Sequence, residues 1–396
     1  MKLAHLADIH LGFRQYYRQT PAGINQREAD VANAFRRAID DVVSARPDLV
    51  LIAGDFFHSV RPTNQAIIHA FSQLGRLRTD LPGAPVVIIA GDHDTPRSVE
   101  TGSILKLFEA IGGVHVVSES VKEIAFEELD LAVTCVPFVT HLTGSLHVLE
   151  PERQGAKLRV LVTHAEIAGV LPSERSAAEY GGVVIEPGAL HAESWDYVAL
   201  GHYHVAHRVR KNAWYSGALE HVTRNPWGEL KDEAREGRQG QKGWLLVTLG
   251  AELRVEFQPI TMERQYIDLE PIHGAGLTAG QLDRLIAERI EGVSCGITGQ
   301  IVRQVVWDVP RAIVRDLDHA RIRDFKSKAL HFNLDIRRPM PERVVGIGTP
   351  NGRQTLAELV ADYLARRDMP SKAESKRLVG LGTKYMKAVE QDFLEE

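Results

Sequence analysis

Five short apolar runs in this 396-residue chain each end in aspartate or histidine. Leu3–Ala7 ends in Asp8-Ile9-His10, Leu49–Ala53 in Gly54-Asp55, and Val86–Ala90 in Gly91-Asp92-His93-Asp94. Arg159–Thr163 leads into His164, and Tyr197–Leu200 into Gly201-His202-Tyr203-His204. A lone aspartate after a strand is usually a helix N-cap, and a lone histidine is usually an ordinary core or surface residue. His5, His69, His115, His141, His147 and His191 read that way. Five such residues at matching positions do not, because a buried charge needs a partner or a metal. Open α/β sheets also place their sites at the carboxyl ends of strands. Imidazole with carboxylate is a donor set for Zn, Fe or Mn rather than Ca. There are too many donors for one tetrahedral ion, but enough for two ions sharing a carboxylate. Two ions roughly 3.5–4 Å apart can hold a bridging hydroxide and a phosphoryl oxygen for in-line displacement. The chemistry is phosphoester hydrolysis. Gly54 and Gly91 fit tight strand-to-loop turns that need freedom in φ.

The elements that position these residues are legible in the same stretch. The apolar runs are short and continuous, as strands buried on both faces should be. Val31, Phe35, Ala38, Ile39 and Val42 fall on one helical face, and Pro47 ends that helix. Further helices are expected near Asn64–Leu77 and after Pro96. Strands alternating with helices make an α/β domain. From Trp214 onward, Gly243–Leu249, Leu253–Pro259 and Gln265–Leu269 predict an antiparallel ending. The charged, Gly-rich stretch Gly228–Gly243 reads as a solvated loop. A helix over 277–291 and a strand over Ile301–Asp308 predict a small α+β unit. Pro339, Pro341 and the Gly346–Gly352 segment read as a linker before two helical patterns.

Composition is ordinary for a globular chain, with 44% hydrophobic and 25% charged residues, so a mainly disordered or fibrous protein is excluded. No apolar run approaches the roughly 18 residues needed to cross a bilayer. The start MKLAHLADIH has no apolar signal core, and Cys135 and Cys295 make no metal or redox spacing. A reduced, cytoplasmic setting with no membrane association is expected. Residues 300–396 carry a net charge of +4 and residues 1–299 a net charge of -9. Arg outnumbers Lys 34 to 13, which suits phosphate recognition but equally suits a GC-rich genome. Composition alone therefore does not select nucleic acid.

The series DIH, GD, GDHD, TH and GHYH resembles the calcineurin-like metallophosphoesterases. The resemblance implies a two-layered β-sandwich flanked by helices, with strand-end loops building a dinuclear site. It assigns Asp8, His10 and His204 to one ion and Asp92, His164 and His202 to the other, with Asp55 bridging. It places His93 against the substrate, assisting attack by the bridging hydroxide, with Asp94 orienting its ring. Asp92 departs from the family, which usually has Asn there; the ligand oxygen is kept, and the added charge implies an altered metal preference.

A narrower resemblance spans nearly the whole chain. AGDFFHSVRPTN, with His58 three residues after Asp55, is similar to the SbcD-type DNA-repair nucleases, whose second active-site histidine His58 would be. HLGFRQYYR, YSGALEHVTRNPWGE and the segment from Val306 to Pro339 are also similar. This implies a nuclease domain over 1–262, a DNA-capping domain over 263–340, a linker over 341–352 and a helical partner-docking tail over 353–396. It also implies two divalent ions, Mn(II) first with Fe or Zn as alternatives, and hydrolysis of DNA at its ends, duplex or single-stranded. The implied partners are an SbcC-type ATPase of the SMC class and a second copy of the chain.

Phe13, Arg14, Tyr16, Tyr17 and Arg18 interleave aromatics with guanidinium beside the first ligands, which suits a nucleic-acid strand. Arg61 and Arg97 follow ligand loops, and Arg321, Arg323 and Lys326 lie in a basic stretch suited to tracking phosphates. Two other functions use the same residues. A small-molecule phosphodiesterase or phosphatase explains the ligands but not the C-terminal unit. A non-catalytic interaction protein of this fold would not need the retained ligand positions and His93.

Overall fold

The computed structural model describes residues 1–96, 102–142, 156–170, 183–339, 356–365, 376–382 and 384–385. Arg97, His147, the expected linker over 341–352 and, from the second helical pattern of the tail, Val389 and Phe393 lie outside the described residues. Met1–Arg338 form one compact unit and Pro339–Glu396 a second.

The strands of the first unit are, in chain order, β1 (Lys2–Leu6), β2 (Leu49–Ala53), β3 (Val86–Ile89), β4 (Val114–Val117), β5 (Lys122–Phe126) and β6 (Leu131–Val136). There follow β7 (Leu158–His164), β8 (Glu166–Ile167), β9 (Val184–Ile185), β10 (Tyr197–Gly201), β11 (His207–Arg210), β12 (Ala213–Tyr215), β13 (Gly243–Thr248) and β14 (Arg254–Pro259). The last three are β15 (Tyr266–His273), β16 (Ile301–Trp307) and β17 (His331–Ile336). One sheet has the order β14-β13-β1-β2-β3-β4 and a second β11-β12-β10-β7-β6-β5. The interior strands of both are mainly parallel, with antiparallel strands at both edges of the second sheet and at the β14 edge of the first, while β4 at its other edge is parallel.

The period of two along each strand divides its residues between layers. Leu3, Leu49, Leu51, Val87 and Ile89 face a shared core with Val133, Val160, Val162 and Ala199 of the other sheet. Ala4, Leu6, Val50, Ile52 and Ile88 face the opposite way, onto the helices α1 (Gln26–Ala45) and α2 (Asn64–Asp80). Phe35, Ile39 and Val42 of α1 and Leu74 of α2 are fully buried there; burial of each such side chain is worth roughly 1.5–3 kcal/mol. Asn25 caps α1 by accepting from the backbone N–H groups of Arg27 and Glu28, and Arg46, in the left-handed region, ends it just before Pro47. This is the expected sandwich flanked by helices.

The five runs that end in Asp or His are drawn from both sheets: β1, β2 and β3 belong to the first, β7 and β10 to the second, and β4 to β6 intervene. Three expectations need revision. The third strand of the expected antiparallel ending, β15, instead pairs in parallel with β16 in a separate three-stranded sheet, β15-β16-β17. That sheet has its own apolar core with the helices Ala279–Glu291 and His319–Lys328. After Pro96, residues 97–101 lie outside the described set, and Ile104–Ala110 form a 3-10 helix. Finally, the expected solvated loop Gly228–Gly243 contains a helix, Pro226–Arg235, whose Glu229, Asp232 and Glu233 are buried. Burial there is tolerable because Glu229 and Glu233 meet the buried Lys242 and Asp232 pairs with Arg235.

In the second unit a helix spans Leu356–Ala365, and residues 376–382 are helical. Gly382 comes close to Leu364 and Val360, so the two segments touch. Tyr363, Leu378, Leu381 and Tyr385 are exposed.

Candidate metal centre

The carboxyl ends of β1, β2, β3, β7 and β10 converge, although they come from two sheets. Backbone hydrogen bonds lock the loops together: Asp8 donates to the Gly54 carbonyl at 3.1 Å and His10 to the Asp55 carbonyl at 2.9 Å. Across the sandwich, the His202 N–H donates to the Asp8 carboxylate at 3.0 Å. Nine non-glycine residues among those described have positive φ. Asp8, His10, Asp55 and His202 are four of them, with φ of 52°, 50°, 49° and 106°. Each such backbone costs roughly 1–3 kcal/mol and persists only when its surroundings impose it. The strain gathers where the donors are.

Gly54 does have positive φ, 91°, and a Cβ there would strike the His164 ring. At Gly91 the constraint is space rather than φ, since a side chain would collide with Asp55.

Donor atoms of Asp8, His10 and His204 all lie within 4.8 Å of one another, and so do those of Asp92, His164 and His202. His10 Nε2 faces His204 Nε2 at 3.2 Å. His164 Nε2 is 2.9 Å and His202 Nδ1 3.3 Å from Asp92 Oδ1. One oxygen, Asp55 Oδ2, stands 3.4 Å from His10 Nε2 and 3.5 Å from His164 Nε2, between the two sets. Around an ion with bonds of about 2.0–2.2 Å, neighbouring ligand atoms are about 3–3.5 Å apart. The donor spacing therefore fits two divalent ions. His164 Nδ1 donates to the Ala53 carbonyl at 2.8 Å, which leaves Nε2 as the ligand atom.

The electrostatics ask for the same cations. Burial opposes the charged form of Asp92, yet hydrogen bonds and charge from His164 and His202 hold its carboxyl well below the usual range. Burial also opposes protonation of His164, but Asp55 and Asp92 outweigh it and raise its pKa well above the ordinary value. Buried carboxylates that hold a proton on a neighbouring imidazole this firmly would hold a divalent ion in its place. His10 is pushed the other way, by burial and then by its histidine neighbours, into the neutral form that a ligand needs.

His93 and His58 line the mouth. His93 is half-buried, and its Nδ1 donates to the His58 carbonyl at 2.7 Å. Asp94 therefore does not orient that ring as expected. Its carboxylate is already taken by the backbone N–H groups of Phe56 and Phe57, both at 2.9 Å, and of Gly91 at 3.2 Å. It braces the ligand loops, and burial with the nearby Asp55 raises its pKa to about 7. The His58 ring stacks on His93 with centroids 5.0 Å apart and meets His10 at 3.3 Å between Nδ1 atoms. Burial pushes the His58 imidazole down to about 4.

A cavity of about 420 Å³ opens on these groups, with Phe13, Arg14, Gln15 and Arg224 among its walls. Sequence reasoning misses Arg224, because an exposed arginine in a loop carries no periodic signal. Arg14 reaches the wall but pairs with Glu28 at 2.7 Å. Tyr17 is fully exposed, and Arg61 is exposed and does not line the cavity. Tyr16 stacks on His331 of β17 with centroids 4.0 Å apart, and Arg18 donates to the Lys326 and Ser327 carbonyls. The loop beside the mouth is thus tied to the end of the helix that carries Arg321, Arg323 and Lys326. Those three are exposed, with Arg321 paired to Glu291 at 2.8 Å.

Comparison with known proteins points the same way. The family model for calcineurin-like phosphoesterases matches residues 1–206. The chain is 29% identical over 256 residues to the DNA double-strand break repair protein Mre11 of Sulfolobus acidocaldarius, covering 64% of this chain and 62% of that protein. To the protein of the same name from Sulfurisphaera tokodaii it is 24% identical over 401 residues, covering 100% and 95%. To that of Methanopyrus kandleri it is 28% identical over 279 residues, covering 66% and 57%. In the first and third, less than two thirds of the relative's length is matched.

Proposed function

The chain belongs to the calcineurin-like phosphoesterase family, and on that premise we propose that it hydrolyses phosphodiester bonds of DNA at or near ends. The supporting observation is a pair of carboxylate–imidazole donor sets beside a cavity that is lined by His10 and His204 of one set together with His93, Arg14 and Arg224. Asp8, His10 and His204 hold one divalent ion, Asp92, His164 and His202 hold the other, and Asp55 bridges. When bound, the pair supplies Lewis acidity to the phosphoryl group and lowers the pKa of water. Mn(II) is the proposed metal, with Fe or Zn as alternatives.

His93, held by the His58 carbonyl, delivers a proton to the leaving oxygen. Arg14 and Arg224 contact the phosphates flanking the scissile one, and Tyr17 offers a face on which a base stacks. Arg61 and the group Arg321, Arg323 and Lys326 extend phosphate contacts away from the mouth. The relatives are named for repair of DNA double-strand breaks, and repair is the proposed setting. An SbcC-type ATPase docking on the helical tail and a second copy of this chain are the proposed partners. Among the described residues no helix is long and apolar enough to cross a membrane.

Digestion of end-labelled duplex and circular single-stranded DNA, in Mn and in Mg beside a nitrophenyl phosphodiester, tests this reading. Hydrolysis of the small diester with both DNAs left intact would make the chain a small-molecule phosphodiesterase instead.

Asp92→Asn is expected to keep both ions and change the order of rates among Mn, Fe, Zn and Mg. The ligand oxygen persists while one negative charge is lost. Metal content and rates measured together check this, and an unchanged order would remove Asp92 from the ligands. Neutralising Arg321, Arg323 and Lys326 together is expected to reduce the log–log salt slope of DNA binding by roughly 0.7–0.9 for each phosphate no longer neutralised. Hydrolysis of a small diester should be spared. An unchanged slope would mean that this face is merely solvated.

A further inference from the structure

We propose that Glu229 is the positioning residue for His204, and that removing its charge weakens one of the two metal sites selectively. The inference rests on the two-ion reading above.

The His204 ring has two distinct surroundings. Its Nε2 faces His10 Nε2 at 3.2 Å, inside the donor set with Asp8. Its Nδ1 faces the other way, 3.5 Å from Glu229 Oε1. Glu229 is fully buried on the helix Pro226–Arg235 and is held at both oxygens. Thr223 Oγ1 donates to Oε2 at 3.0 Å, and Lys242 Nζ to Oε1 at 3.0 Å. Lys242, itself 2% exposed, also donates to the backbone carbonyl of His204 at 2.9 Å. One buried ammonium thus fixes the main chain of a metal ligand and the carboxylate facing its ring. A carboxylate behind a ligating imidazole sets the tautomer, holds the plane of the ring and increases its basicity as a ligand.

The two donor sets differ in this respect. His164 is backed by the neutral Ala53 carbonyl, whereas His204 is backed by a buried carboxylate. Loss of Glu229 charge therefore falls on the site of Asp8, His10 and His204 and spares that of Asp92, His164 and His202. A purely structural role would look different. Lys242 also contacts Glu233 at 2.8 Å, and Glu233 leads away from the metal centre to His221 at 3.1 Å. Glu233 belongs to the same buried network without facing a metal ligand.

Calorimetric titration of the full chain with Mn(II) separates these roles. Wild type is expected to take up two ions. Glu229→Gln should keep one binding event unchanged and weaken the other about 10- to 100-fold. Glu233→Gln should leave both events as in wild type. Two unchanged events in Glu229→Gln would overturn the inference alone, as would an equal loss in Glu233→Gln, which would mark a structural role. A wild-type chain that takes up no Mn would overturn the two-ion reading and this inference with it. Should Glu229→Gln be insoluble, Thr223→Val, which removes only the hydroxyl on the other Glu229 oxygen, is read in its place. A smaller loss confined to one event supports the inference, and two unchanged events overturn it.

Discussion

Asp55→Ala is expected to lose both bound ions and to hydrolyse DNA below detection, a larger loss than the about 10²–10⁴ of removing one acid–base group. No other side chain touches so much of the centre at once. Its Oδ2 lies within 3.5 Å of one imidazole from each donor set, and its Oδ1 accepts the His93 N–H at 2.9 Å. On the two-ion proposal, removing it takes a ligand from both ions and frees the loop that carries His93. The fold should survive. Asp55 repels its buried carboxylate neighbours, contributing after burial to the raised pKa values of Asp8 and Asp94, and this repulsion offsets its attraction for His164. Without added metal the variant should therefore melt no earlier than wild type, while the rise in Tm on adding Mn should vanish. Metal content, Tm with and without Mn, and cleavage of labelled duplex check the three parts. A variant that holds two ions and cuts DNA would remove Asp55 from the bridge.

The cluster of candidate metal donors is largely legible because its signal is a contradiction within the sequence. Apolar runs such as Leu49–Ala53 are buried on both faces, and ionisable residues placed directly after them are costly unless something compensates. What could not be read is how chain-distant residues compensate one another. Glu229, Glu233 and Lys242 are as buried as any proposed ligand, but in the sequence they form a charged run, and such a run normally faces water. Lys242, just before β13, meets both carboxylates of the helix at once, and no hydropathy pattern records that. Arg27 is hidden for the same reason, held by Asp30 at 2.9 Å and Glu220 at 3.1 Å.

Sheet membership was illegible on other grounds. β15 has the same alternation whether its partner is antiparallel β14 or parallel β16, and tertiary packing decides. Asp94 differs from its expected role because two adjacent residues have separate tasks. His93 turns to a carbonyl in the loop after β2, while Asp94 turns inward to backbone N–H groups.

That division predicts how His93→Leu should behave. The ring hydrogen-bonds to a main-chain carbonyl through Nδ1, and its Nε2 is 3.8 Å from Asp92 Oδ2, so its loss leaves both proposed ligand sets complete. Metal content should match wild type, and DNA cleavage should fall by about 10²–10⁴. The leaving group tells which task His93 performs. A DNA 3′ or 5′ oxygen is a poor leaving group and needs a proton, whereas nitrophenolate leaves without one. If His93 is the proton donor, the loss on a nitrophenyl diester should be much smaller than on DNA. Equal losses on both substrates would make His93 a stabiliser of phosphoryl charge instead. Full activity with both ions retained would take it out of the reaction, and the proton would have to come from solvent through the cavity lined by Arg14 and Arg224.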